Sequence, residues 1–331
     1  MTKVKVAVIG LGSWGECHVE AYRSIPGVDV VAICDTRPQQ LMQVGERFGI
    51  EGRYTDSMEL LQRRDIDLVS VVTFEENHLA STLEALRSGM HVLVEKPVST
   101  KLQEAKAMLE AADRHQRHVV PGHLLRFDPR YAEIYQGIQS GKIGKPKSMY
   151  FKRARTKGMF EIYNRTHTAY LSTVHDLDLA IWYASSRVKS VKAVGNWVTG
   201  ADSPDILWAL LQFESGAAAC FNSNWMTPDQ AGIVMNDSVE VIGTEGTAQF
   251  DNRGSGLELW DRNGRLTPDI NIHRVMNGSA AGALRDQLHY LCECIGRGAD
   301  PVYTSFQDAV HGIEVANAIV QSAATGKEIM L

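Results

Sequence analysis

Between residues 4 and 123 the chain alternates short apolar runs with longer amphipathic stretches. The runs at 4–9, 28–34, 68–73, 92–95 and 118–121 are rich in β-branched residues and mostly lack period-two alternation, the pattern of strands buried on both faces. The stretches between them are of helix length. Residues 78–87 have Asn77 in the amino-terminal cap position and Gly89 as a stop, and residues 101–115 follow Ser99 and Thr100. Such alternation predicts a parallel sheet with right-handed crossovers, covered by helices on both faces.

After about residue 123 the texture changes. Asp128-Pro129 reads as a cap and a first-turn proline, opening a helix that ends near Gly141. Residues 206–214 and 217–226 flank Ser215-Gly216 as a hairpin, and 238–242 pairs with 247–251 across Thr244-Glu-Gly246. A helix near 171–183 interrupts the strands, and two more, at 282–295 and 306–323, close the chain. This half predicts an α+β domain with a large, mostly antiparallel open sheet and helices on one face.

Composition narrows the function classes. At 331 residues the chain is too long for one ordinary core. A net charge of -5 makes no electrostatic case for nucleic acid or an anionic membrane as partner. No apolar run approaches the roughly 20 residues of a membrane span. The amino terminus starts as a strand rather than a signal peptide, so a cytoplasmic protein is expected. Cys17, Cys34, Cys220, Cys292 and Cys294 are odd in number, and Cys292-Glu-Cys294 has the spacing of neither a zinc knuckle nor a redox pair. Reduced thiols and no metal are the expectation.

Gly10-Leu-Gly12-Ser13-Trp14-Gly15 follows the first strand and opens a helix. A glycine pattern alone is weak, but a strand before, a helix after and a second strand ending in an acid are the context a dinucleotide fingerprint requires. Gly10 permits the tight turn, Gly12 lets the pyrophosphate approach the backbone, and Gly15 lets helix and strand pack. Asp35 ends the second strand 20 residues after Gly15, where a carboxylate accepts the ribose hydroxyls and repels a 2′-phosphate. Asp35 thus favours NAD, and Thr36 beside it is a further candidate cofactor contact. Arg37 could hold a 2′-phosphate, which leaves NADP open. The fold class is therefore α/β: an N-terminal Rossmann, doubly wound parallel sheet in a domain spanning 1–123, then the α+β substrate and oligomerisation domain, 124–331.

Hydride transfer from an alcohol needs a group that takes the hydroxyl proton. Lys96, at the end of the strand 92–95, fits that role, because desolvation beside an oxidised nicotinamide lowers a lysine pKa toward the working range. Glu95 positions it or caps the next turn, and Pro97 biases it to an extended backbone. The bland alternative is a snorkelling lysine paired to Glu95. His175 opens an amphipathic helix and shares a face with Asp178. It is a proton partner for substrate or Lys96 whose tautomer Asp176 or Asp178 fixes, or else a core histidine. Phe151, Arg153, Arg155 and Lys157 share one strand face, which meets either an anionic substrate or water. His167 and Tyr170 are candidate hydroxyl binders, or plain loop residues. Trp208, Trp225 and Trp260 read as core or interface, and residues 252–280 carry no assigned role.

Gly10-x-Gly12-x-x-Gly15-x-x-His18, Thr73-Phe-Glu-Glu-Asn-His78, Glu95-Lys96-Pro97, Arg126-Phe-Asp-Pro129 and His175-Asp-Leu-Asp178 together resemble, in order and spacing, the glucose–fructose oxidoreductase/inositol dehydrogenase (Gfo/Idh/MocA) family. The resemblance covers nearly the whole chain. It implies a two-domain NAD(P) enzyme acting on sugars, cyclitols and their derivatives, built as a dimer or tetramer on the second domain's sheet. It implies further that Lys96 and His175 handle the proton and that Lys96-Pro97 is cis. The turn carrying Thr73, Phe74, Asn77 and His78 would border the cofactor, and His123 would face the nicotinamide. Three positions depart from the family pattern: Leu171 stands where many sugar and cyclitol dehydrogenases have aspartate, Phe74 where proline is usual, and Gly122-His123 where an aromatic or asparagine-containing segment is common. The expected function is oxidation of a secondary hydroxyl of a sugar, cyclitol or polyol, or reduction of the matching ketone. A redox-neutral enzyme that retains its nicotinamide, such as an NAD-dependent glycosidase, and a non-catalytic dinucleotide sensor stay open as alternatives.

Overall fold

The structure is a computed structural model that describes residues 3–233, 235–252, 257–262 and 264–331. In chain order its first elements are β1 (Val4–Ile9), α1 (Ser13–Arg23), β2 (Val28–Cys34), α2 (Pro38–Phe48), β3 (Gly52–Tyr54), the single turn α3 (Ser57–Leu60), β4 (Leu68–Val71), α4 (His78–Arg87), β5 (His91–Val94), α5 (Leu102–His115) and β6 (Val119–Pro121). There follow α6 (Pro129–Gln139), β7 (Pro146–Thr156), α7 (Lys157–Tyr163), α8 (Val174–Ala184), β8 (Val188–Asn196), β9 (Ile206–Phe213), β10 (Ala218–Thr227), β11 (Asn236–Gly243) and β12 (Thr247–Asp251). Two short hairpins, β13 (Leu259–Asp261) with β14 (Gly264–Leu266) and β15 (Arg274–Met276) with β16 (Ser279–Ala281), precede α9 (Ala283–Arg297), α10 (Phe306–Thr325) and β17 (Ile329–Met330). The hairpins lie in the stretch 252–280, of which 253–256 and 263 fall outside the described residues.

The first compact unit comprises Met1–Phe127 and Asn271–Val310. Its six strands run parallel in the order β3-β2-β1-β4-β5-β6. The order reverses between β1 and β4, and a ligand crevice opens at the carboxyl ends beside that switch point. Val6, Val8 and Ile9 of β1, Val30 and Ile33 of β2, and Val69 and Val71 of β4 are buried, as their mostly unalternating sequence requires. Pro38 at the first turn of α2 and the left-handed Gly49 (φ 63°) at its end fix that helix's limits. Asn77 does not cap α4 through its side chain, contrary to the expectation.

The second segment of this unit is not visible in a division at 123/124. Leu284, Leu288, Leu291 and Cys292 of α9 are buried in one cluster with Val4, Val6, Val8, Tyr22 and Val30. Gln287 of α9 donates to the Pro121 carbonyl at the end of β6 (3.0 Å). Arg126 is 2% exposed, and its guanidinium donates to the Tyr303 carbonyl and to Asp308, both at 3.1 Å.

The second unit, Asp128–Ile270 with His311–Leu331, holds a seven-stranded sheet in the order β12-β11-β7-β10-β9-β8-β17. Every neighbouring pair is antiparallel except β7 with β10. Both predicted hairpins form, and Asp128 caps α6 by accepting from the Arg130 amide (3.0 Å). Along β9, Leu207, Ala209, Leu211 and Phe213 are buried while Trp208 and Leu210 are exposed, the period of a sheet covered on one face. On the covered face Phe151 of β7 stacks on Phe221 of β10 and Tyr183 of α8. Trp225 is core, packed between Phe160 and Tyr163, whereas Trp208 and Trp260 are exposed.

Candidate active site

The glycine turn is built as the sequence predicts, for three different reasons. Gly10 has φ +94°, and a Cβ there would meet the Val72 carbonyl oxygen at 2.5 Å, across the switch point. A Cβ on Gly15 would lie 1.9 Å from the Gly10 carbonyl oxygen, so the helix could not seat against the strand. A Cβ on Gly12 would meet nothing within 4 Å. That glycine is needed by nothing inside the protein; the space beside it is open. Gly12 is the N-cap of α1 and makes no side-chain cap, so the first-turn N–H groups and the positive end of the dipole lie at that opening. Ser13 is exposed and Trp14 half-buried. Gln40 of α2, which the sequence did not single out, donates to the Leu11 carbonyl and to Glu16, both at 2.7 Å, and braces the turn.

Asp35 stands just past the end of β2. Its Oδ2 accepts from the Leu11 amide (2.8 Å), and its two oxygens accept from the Arg37 amide and guanidinium at 2.9 Å. Burial works to raise the Asp35 pKa, but the bonds from Arg37 and Leu11 outweigh it and hold the carboxyl below its ordinary range. Arg37 lies over the acid as its partner, and its side chain is 59% exposed. Thr36 beside it is exposed.

Thr73 follows β4 half-buried, with Phe74 and Asn77 exposed beside it. His78 is different: it is 1% exposed, with Nε2 3.1 Å from the Thr73 carbonyl and Nδ1 3.2 Å from that of Val98. Burial pushes its pKa down despite both carbonyls. The expectation that His78 borders the cofactor is corrected: its ring is enclosed and ties the Thr73 turn to the segment after Pro97.

Past β5, Glu95 is buried and Lys96 half-buried, and the Lys96-Pro97 bond is cis. Glu95 accepts from Trp14 Nε1 (2.9 Å) and the Lys96 amide (3.0 Å), with His18 Nε2 at 3.1 Å. His123, just after β6, is 3% exposed. The carboxyl ends of β1, β2, β4, β5 and β6 thus carry the glycine turn, Asp35, Thr73, Lys96 and His123 along one rim. His18 belongs to the glycine pattern, which by itself says nothing of its partner Glu95. An ionisable residue beside Val19 and Tyr22 on the buried face of α1 was the available signal.

In the second unit His175 is the second residue of α8 and half-buried. A π-turn, Ala169–Thr173, precedes it in place of the regular helix expected from 171, and such turns mark functional sites often. Leu171 is buried within it. Asp176 is committed elsewhere, accepting both Nε (3.0 Å) and Nη2 (2.6 Å) of Arg153. Arg153 also reaches Asp237 of β11, on which Arg155 closes as well. Burial raises the Asp176 pKa even against its guanidinium, while Asp237, buried but with two arginines beside it, is held low. The expectation of Arg153 as a substrate anchor is therefore corrected. The face it shares with Phe151 turns to the protein interior, and the residue is 3% exposed, its guanidinium held between two carboxylates. Tyr170 is half-buried, and its hydroxyl donates to Asn317 of α10. His167 is half-buried, its Nδ1 accepts from the Ala169 amide (3.1 Å), and burial lowers its pKa to about 4.

An open glycine turn at the switch point of a 3-2-1-4-5-6 parallel sheet, with an acid after the second strand, fits NAD and defines a dinucleotide-binding oxidoreductase. Comparison with known proteins makes this specific. Residues 4–123 match the oxidoreductase family with an NAD-binding Rossmann fold, and residues 131–249 match the GFO/IDH/MocA C-terminal domain. The chain belongs to the GFO/IDH/MocA family. It is 30% identical to the uncharacterised oxidoreductase YrbE of Bacillus subtilis (strain 168), over 100% of this chain and 98% of that one. It is 29% identical to scyllo-inositol 2-dehydrogenase (NAD(+)) of the same strain, over 99% and 96% of the two chains. Its fold matches scyllo-inositol dehydrogenase from Lactobacillus casei with bound NAD(H) and scyllo-inositol, at a TM-score of 0.86 and 19% identity over 99% of each chain.

Proposed function

We propose that the protein is a cytosolic dehydrogenase that oxidises a secondary hydroxyl of a sugar, cyclitol or related polyol with NAD, or reduces the matching ketone. Bound NAD supplies the hydride acceptor, C4 of its nicotinamide. Gly12 and the first turn of α1 hold the pyrophosphate, and Asp35 holds the adenosine ribose. Thr73 and His123 border the nicotinamide. Lys96 Nζ takes the hydroxyl proton as hydride leaves and returns it in the reverse direction. His175 is its proton partner and orients the substrate, with His167 a further substrate contact. The observation that carries the reading is Lys96 at the carboxyl end of β5, in the same rim as a glycine turn left open at Gly12.

The substrate class draws support from the inositol dehydrogenases among the relatives. Leu171, buried where an aspartate would hydrogen-bond a hydroxyl, points away from inositol itself. A homodimer or homotetramer built on the second unit's sheet is supported by Val194, Trp208 and Leu210, which are exposed on the single chain. The test is a screen of cyclitols, pentoses, hexoses and their acids with NAD and NADP, read as formation of reduced nicotinamide. Turnover with one of them supports the proposal. Cofactor that stays bound with no net reduction would replace it with redox-neutral chemistry, and binding without turnover would replace it with a sensor.

A further inference from the structure

Glu95 is a buried carboxylate whose polar contacts include three N–H donors. Oε1 takes the Trp14 indole N–H (2.9 Å) and faces His18 Nε2 (3.1 Å), while Oε2 takes the Lys96 amide (3.0 Å). Its side chain is 5% exposed and that of His18 is fully enclosed. Gly122 at the end of β6 completes the fit: a Cβ there would lie 2.8 Å from Oε1 and 3.0 Å from Oε2. Glycine is the residue that leaves the carboxylate its space. His18 Nδ1 is buried and meets no hydrogen-bond partner among the described residues, so Nε2 is the ring nitrogen turned to the carboxylate. A carboxylate fed by several N–H donors is stabilised in its charged form, and although burial raises the Glu95 pKa, the bonds from His18 and Trp14 carry it below the ordinary value.

A fixed negative charge therefore sits one residue from Lys96, on the rim where the cofactor binds. Oxidised nicotinamide carries a positive ring and the reduced form does not. The oxidised ring would bring a positive charge into a partly dehydrated crevice, where a nearby carboxylate attracts it strongly. We propose that Glu95, held in place by Trp14 and His18, is the counter-charge that lets this site bind the oxidised cofactor next to Lys96, with Trp14 and His18 as positioning residues. This deepens the proposed function, but it is read from binding alone, so its failure and the failure of the polyol screen are separate results.

The experiment measures dissociation constants for NAD+ and NADH on the intact protein by calorimetric titration, with thermal melting as the folding control. Glu95→Gln keeps the shape and removes the charge; the NAD+ constant should rise about tenfold while that of NADH stays within about twofold. Trp14→Phe, which removes one donor at a half-buried position, should shift the same ratio in the same direction by about threefold. If Glu95→Gln melts early, the Trp14→Phe ratio decides alone. Equal weakening of both cofactors, or no change in their ratio, would overturn the proposal, because a packing role cannot distinguish the two redox states.

Discussion

Replacing Gly12 by alanine separates binding from folding, because each glycine of the turn is small for its own reason. Gly12 has φ −64° and ψ −179°, a conformation alanine adopts, and its added Cβ meets nothing within 4 Å. The folded chain should tolerate it at a cost of about 1 kcal/mol or less, the usual penalty for alanine at an N-cap. The methyl instead occupies the approach to the first-turn amides. Losing one charge-assisted bond to a pyrophosphate oxygen there costs about 1.5–3 kcal/mol, or roughly 10- to 150-fold in the NAD+ dissociation constant. Gly15→Ala is the comparator. Its Cβ would fall 1.9 Å from a backbone oxygen, so α1 must lift from β1, with a loss of about 1–3 kcal/mol or more in stability. Calorimetric titration of NAD+ and thermal melting of both variants read the two effects separately. A Gly12→Ala protein that melts normally and binds NAD+ within threefold of the parent would refute the assignment of this turn to the pyrophosphate.

Three further outcomes are expected. Lys96→Met should lower kcat by about 10²–10⁴ while the NAD+ dissociation constant stays within threefold; unchanged turnover would remove Lys96 from the chemistry. Arg153→Met leaves Asp176 buried without its guanidinium, at a cost of about 3–5 kcal/mol, or roughly 6–20 °C in Tm. Because the folded-state pKa of Asp176 is already raised, that penalty should grow as pH rises through it and shrink in acid, which melting at pH 5 and pH 8 would show. Asp35 has a depressed folded pKa, so its contribution is fully present above about pH 4, its unfolded range, and lost as pH falls through the lower folded value. Asp35→Asn should therefore flatten the acid limb of the stability profile, and an unchanged limb would count against the Arg37–Asp35 pair.

The first unit was legible where a residue type has one physical use. A β-branched run without alternation can hardly be other than a doubly covered strand, and the glycine turn and Asp35 sit where the strands require. The second unit was legible in its hairpins, where partners are adjacent in sequence. The parallel pair within its large sheet, β7 with β10, joins residues some seventy apart, and no local pattern announces it. Arg153 was misread for a related reason. Strand parity groups Phe151, Arg153 and Arg155 on one face but cannot say what covers it, and the covering carboxylates come from α8 and β11. The family resemblance set His78 beside the cofactor, yet two backbone carbonyls on a buried turn take up its ring.

The return of α9 to the first unit has a consequence for how this protein is made. A fragment cut at Phe127 would bare the apolar surface that Leu284, Leu288 and Leu291 cover, each worth about 1.5–3 kcal/mol when buried. The nucleotide-binding half therefore cannot be finished when its strands leave the ribosome. It stays open until nearly the whole polypeptide has been synthesised, and a nascent chain stalled midway would expose a sticky flank to its surroundings.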